Sequence, residues 1–75
     1  MSVHMPMRPS WGCAACGQPW PCPTRREQFL AEYGETQVSL ALYLSSCLVE
    51  ASRDLPYERA GELYLRFLGW LREAR

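Results

Sequence analysis

From Thr24 onward the apolar residues recur at helical spacing, and before it they do not. Thr24-Arg25-Arg26-Glu27 fits a capping box, in which the Thr hydroxyl and the Glu carboxylate each satisfy a backbone N–H of the first turn. Phe29, Leu30 and Tyr33 follow as a short apolar face, and Gly34 suits the residue that ends a helix. This pattern predicts a first helix over about 24–33. Thr36 is the expected N-cap of a second helix over about 37–53. There Leu40, Tyr43, Leu44, Cys47, Leu48 and Ala51 share one face. Val38, Ala41, Leu42 and Val49 make its other side apolar too, which implies a central helix or one at an oligomer interface.

A third helix is expected to open at Pro56, a favoured first-turn residue, and to run to about 73. Tyr57, Ala60, Leu63, Tyr64, Phe67, Leu68 and Leu71 form its stripe, while Leu65 and Trp70 fall outside it and need another partner. Glu62 and Arg66 are placed to pair at i,i+4. Residues 1–23 contain five of the six prolines and no such period. Proline fixes φ and removes a donor, so neither a helix nor a central strand is expected there. The fold class predicted is therefore mainly α. An irregular Pro/Cys-rich arm, 1–23, precedes a bundle of three helices, 24–75, in a single domain of 75 residues.

Chains of this size bury a modest fraction of their surface and often need a metal, disulfides or a partner to hold their fold. The apolar content of 48% is enough for a core. A formal net charge of zero provides no bulk attraction to nucleic acid or an anionic membrane. No stretch reads as a signal peptide or as a transmembrane span. The chain thus reads as cytoplasmic, where clustered cysteines serve as metal ligands or redox groups more often than as disulfides.

The chemistry concentrates in Trp11-Gly12-Cys13-Ala14-Ala15-Cys16-Gly17-Gln18-Pro19-Trp20-Pro21-Cys22. Cys13, Cys16 and Cys22 are spaced C-x2-C-x5-C. Two intervening residues let a pair of sulfurs reach one ion at about 2.3 Å. Gly17 tolerates the positive φ that turns backbone N–H groups toward those sulfurs. Structural zinc takes four Cys or His ligands in a tetrahedron. His4, the only histidine, is the expected fourth ligand, and the intervening chain is long enough to loop back. Cys47 is the rival, although a cysteine on an apolar helix stripe is most often a small buried hydrophobe. The predicted site is His4, Cys13, Cys16 and Cys22 around Zn2+, with iron as the alternative metal. Trp11 and Trp20 are expected to pack over this loop. Exposed, with Arg8, Arg25 and Arg26 nearby, they would instead offer a stacking platform.

Three families share parts of this pattern. The C-x2-C-x5-C spacing resembles that of the WhiB-like iron–sulfur regulators, which add a further cysteine upstream where this chain has His4. Trp11-Gly12-Cys13-Ala14-Ala15-Cys16 is similar to the opening half of Ran-binding-type zinc fingers. A broader resemblance is to short actinobacterial zinc-binding proteins with a His, then W-x-C-x-x-C-G-x-P-W-P-C, then a Leu-Tyr-x-Arg-Phe-Leu-Gly-Trp segment, matched here by His4, Trp11 to Cys22 and Leu63 to Trp70. That resemblance implies a small cytoplasmic zinc-binding protein. Some of those proteins are called flavin reductases, but this chain has no Gly-rich phosphate loop opening a helix.

With His4 on the metal, no histidine is left for acid–base work, and the carboxylates are scattered along helix faces, so no catalytic residue is assigned. The expected function is that of a non-enzymatic zinc protein that binds an unidentified protein partner or a second copy of itself. The surplus apolar residues Leu42, Leu65 and Trp70 suggest where. A redox sensor built on iron–sulfur or labile zinc, and a knuckle that binds nucleic acid, are the alternatives.

Overall fold

A computed structural model describes residues 2–73. It is mostly helical, as the periodicity predicts. Helix α1 spans Pro23–Tyr33 and α2 spans Gln37–Asp54. A third helical segment consists of α3, Ala60–Tyr64, a π-helical turn, Leu65–Gly69, and α4, Trp70–Glu73. The arm is not wholly irregular. Strands β1, Pro6–Met7, and β2, Gly12–Cys13, pair antiparallel, with Pro6 opposite Cys13 and Met7 opposite Gly12. Proline is tolerated there because β1 is an edge strand and its missing N–H is not needed.

The start of α1 differs from the capping box expected at Thr24. The N-cap is Cys22, in extended conformation, and Pro23 takes the first helical position with its φ already set for a helix. Thr24 is thereby drawn inside the helix, where its hydroxyl has no capping task. The Gly34 stop holds. Its φ of 52° is positive, and its N–H bonds the Leu30 carbonyl at 3.0 Å. Thr36 is the N-cap of α2, as expected, but its hydroxyl bonds back to the Tyr33 carbonyl rather than forward into α2.

The third segment departs furthest from expectation. Pro56 and Tyr57 lie in turns, and regular helix begins at Ala60. Within it the π turn widens the coil, which rotates the residues that follow relative to a regular helix. Leu63, Phe67, Trp70 and Leu71 are the buried positions, and Tyr57 and Tyr64 are exposed. Trp70, expected off the stripe, is thus in the core. Two carbonyls of the loosened turn take side-chain donors: Arg66 O accepts from Arg26 Nη2 at 3.3 Å, and Phe67 O from Trp70 Nε1 at 2.9 Å.

The core is one cluster shared by arm and helices. Trp11 and Trp20 are only 3% and 1% exposed. Their rings lie 5.9 Å apart; Trp11 meets Phe67 edge-on at 5.5 Å, and Trp20 meets Phe29 edge-on at 5.9 Å. Edge-to-face pairs at such separations are favourable beyond the area they bury. Leu40, Leu44, Cys47 and Ala51 of α2 complete the interior. The radius of gyration, 11.7 Å, is near the roughly 11 Å of a compact chain this long. The arm therefore lies against the helices instead of trailing from them.

Candidate metal centre

The arm folds so that four side chains converge. A four-residue turn after β1 is closed by the Trp11 N–H on Met7 O at 2.6 Å. Trp11 itself has φ of 60°, a left-handed conformation that costs a bulky residue about 1–2 kcal/mol. Its buried ring and the hydrogen bonds at both its ends hold it there. Beyond β2, Gly17 N–H bonds Cys13 O at 2.8 Å and Cys13 N–H bonds Gln18 O at 2.7 Å, which makes a tight loop with Gly17 at φ of 75°. The Trp20 N–H then returns to Trp11 O at 2.9 Å, and its indole N–H donates to His4 O at 2.9 Å. The last contact fixes the backbone of His4 from the far side of the loop.

One ligand atom from each of His4, Cys13, Cys16 and Cys22 lies within 4.8 Å of the other three. His4 Nδ1 is 3.3 Å from the sulfurs of both Cys13 and Cys22, and those sulfurs are 3.7 Å apart. With metal–sulfur bonds near 2.3 Å and metal–nitrogen bonds near 2.0–2.1 Å, a tetrahedron has edges of about 3.8 Å between sulfurs and about 3.5 Å between sulfur and nitrogen. The separations among His4, Cys13 and Cys22 fit one ion. In a cubane cluster each sulfur binds a different iron, so the ligand atoms stand farther apart than this. All four cysteines are free thiols, and the group can hold a metal ion. Cys47, the rival ligand, is buried in α2 among the core residues and is not one of the four.

The surroundings suit a thiolate at Cys13. Burial pushes the Cys13 thiol up, but the backbone N–H groups of Cys16 and Ala15, helped by the Cys16 and His4 side chains, outweigh it and bring its pKa down to about 6. Burial also pushes Cys22 up, and the neighbouring thiols add to this, while the Arg25 backbone N–H works the other way. Cys22 stands at the N-terminus of α1, where the helix dipole favours negative charge. Cys47 is raised, chiefly by burial. Cys13 and Cys22 are buried, and Cys16 faces solvent.

Around the ligands, charged side chains bind the arm to the helices. Arg66 donates from Nε to Trp20 O at 2.8 Å and from Nη2 to Trp11 O at 2.6 Å. It is turned inward, and the expected Glu62–Arg66 pair along the helix is not among the ion pairs of the described residues. The Trp20 carbonyl, and the second lone pair of the Trp11 carbonyl that already accepts from the Trp20 N–H, are the stronger claim on a guanidinium fork. Arg26 donates to Pro21 O at 2.9 Å, and Arg25 pairs with Glu32 at 3.1 Å, so both arginines of the first turn are engaged. At the end of α2, Asp54 takes Arg8 through both oxygens, at 2.7 and 3.2 Å, and the Trp11 indole N–H at 2.7 Å. These contacts hold the Asp54 carboxyl below the usual range, Arg8 first and Trp11 second. The positioning roles of Asp54 and Arg66 left no mark in the sequence, where each reads as a solvated charge.

No helix is long and apolar enough to cross a membrane. No protein-family model matches the chain, and no curated protein or solved structure matches it either.

Proposed function

We propose that this chain is a small non-enzymatic zinc protein. Zn2+ held by His4 Nδ1 and the sulfurs of Cys13, Cys16 and Cys22 fastens the arm onto the helices, and the assembled surface binds another protein or a second copy of the chain. The observation that carries this reading is the convergence of the four ligand atoms within 4.8 Å, with those of His4, Cys13 and Cys22 separated by near-tetrahedral edges. Three sulfurs and one nitrogen are the donor set of closed structural zinc sites, in which metal binding is folding energy. A four-ligand shell leaves no position for substrate. The same ligands lie in the His…W-x-C-x-x-C-G-x-P-W-P-C pattern of the short actinobacterial zinc proteins, and we place this chain with them. A thiolate site of this kind suits the reducing cytoplasm.

The nucleic-acid alternative has less support. Both indoles are buried rather than free to stack, and Arg8, Arg25 and Arg66 are engaged within the protein. A redox-responsive zinc site has one observation in its favour, the exposed position of Cys16.

Elemental analysis of protein purified without chelator tests the reading. One zinc per chain is expected, and iron or no metal would overturn it. Zinc release by dilute peroxide, followed with a chromogenic chelator, separates the labile version from the inert one.

A further inference from the structure

Among the described residues, none covers the charge-free face of α2 at Val38, Leu42 and Val49. From Gln37 to Val49 the helix carries no charged residue. Val38, Leu42 and Val49 are 76%, 69% and 52% exposed. With Ser45 they follow one another at steps of four, three and four residues, the spacing of a coiled-coil seam. Single exposed apolar residues are ordinary, but three in one seam are not. The serines along it are already satisfied: Ser45 Oγ donates to Ala41 O and Ser52 Oγ to Val49 O, each at 2.7 Å. Hydroxyls bonded within their own helix lose little when water is removed from above them.

The ends of the seam identify what covers it. Glu35 lies in the turn just before α2, and Arg53 in its last turn. Both are exposed, and neither has an ion-pair partner among the described residues. Laid antiparallel on a second copy about a twofold axis, Val38 meets Val49 and Leu42 meets Ser45. The same register sets Glu35 of each copy against the Ser52–Arg53 end of the other. Parallel pairing would set Glu35 beside Glu35 and Arg53 beside Arg53. An isologous contact needs a self-complementary face, and this face meets that condition in one direction only. We infer that α2 is the interface of an antiparallel homodimer, with Val38, Leu42, Ser45 and Val49 at its centre and two Glu35–Arg53 pairs at its ends.

The interface is independent of the metal reading, and the test keeps the two apart. Full-length protein, as purified, is run through sedimentation equilibrium over a concentration series into the high micromolar range, with metal assayed in the same samples. The wild-type chain dimerises, and Leu42→Glu weakens dimerisation at least about tenfold while helicity and metal content stay unchanged. Glu35→Arg and Arg53→Glu each weaken it, and the double exchange restores it. A wild-type chain that stays monomeric, a dimer indifferent to Leu42→Glu, or a double exchange that fails to rescue overturns the proposal.

Discussion

Arg66 and Trp11, 55 residues apart, are joined by a 2.6 Å hydrogen bond from guanidinium to carbonyl. The same guanidinium holds the Trp20 carbonyl at 2.8 Å, so one side chain of the last helical segment fastens both ends of the loop that contains Cys13 and Cys16. Arg66→Met keeps much of the aliphatic packing but leaves the Trp20 carbonyl without a donor and the Trp11 carbonyl with the Trp20 N–H alone. It is expected to lower unfolding free energy by about 1–3 kcal/mol, chiefly the cost of the one carbonyl left unsatisfied. Arg66→Lys should recover less than half of that, because an ammonium cannot span both acceptors as a planar fork does. Denaturant unfolding of the three chains measures the difference.

Removing the metal should free the arm before it melts the helices. His4→Ala, Cys13→Ser and Cys22→Ser are each expected to reduce bound zinc well below one per chain, and Cys47→Ser to leave it unchanged. On chelation the near-ultraviolet dichroism of the buried indoles should collapse while most of the far-ultraviolet helical signal persists. A metal-free chain with intact indole signals would mean that the aromatic cluster alone holds the arm.

Cysteine reactivity should follow position. Cys47 is buried and its thiol is pushed up, so iodoacetamide at neutral pH should leave it unmodified in the native protein. After chelation the exposed Cys16 should react first. Peptide mapping by mass spectrometry would reveal either departure.

Asp54 gives the chain one acid-sensitive contact. Its carboxyl is held below its usual range in the fold, so it binds a proton less readily there than in the unfolded chain. The stability it contributes is complete above the ordinary carboxylate pKa of about 4 and is lost as pH falls through the lower native value. Wild type should melt higher than Asp54→Asn by a constant margin from neutral pH down to about 5. The margin should close below about 4. Metal loss in acid affects both chains, so the margin between them, followed by thermal melts, reports Asp54.

Gly17 has a positive φ and Gly69 does not. Gly17→Ala is expected to cost about 1–2 kcal/mol and to weaken zinc retention, since an L side chain resists that conformation. A Cβ at Gly69 would come within 3.0 Å of Leu65 Cδ2, the free end of an exposed side chain that can turn aside. Gly69→Ala should therefore be neutral or mildly stabilising. Thermal melts of both variants test the contrast.

Much of this architecture was legible in the residues. The apolar period located α1 and α2 within a residue or so, because each uses one regular stripe. It misjudged the third segment, where Tyr57 and Tyr64 drew the stripe toward solvent and the π turn moved Trp70 inward. No pattern of residue types encodes a widened turn whose carbonyls are satisfied by arginine and indole from elsewhere. The candidate ligand cluster was legible because C-x2-C and a lone histidine are local chemistry. The inward turn of Arg66 was not, because its partners are backbone carbonyls, which carry no residue identity. Trp11 gave no hint of its left-handed backbone, since that conformation ordinarily marks glycine or asparagine.

The placement of the ligands also orders events during synthesis. All four lie within the first 22 residues of the chain, whereas Arg26, Asp54, Arg66 and Phe67, which cap and clamp that loop, follow later. On the proposed function, a growing chain exposes its complete set of donors before any of these later residues leaves the ribosome. Loading would then require only closure of a short loop. The nascent clasp would then be a template on which the helices dock as they emerge.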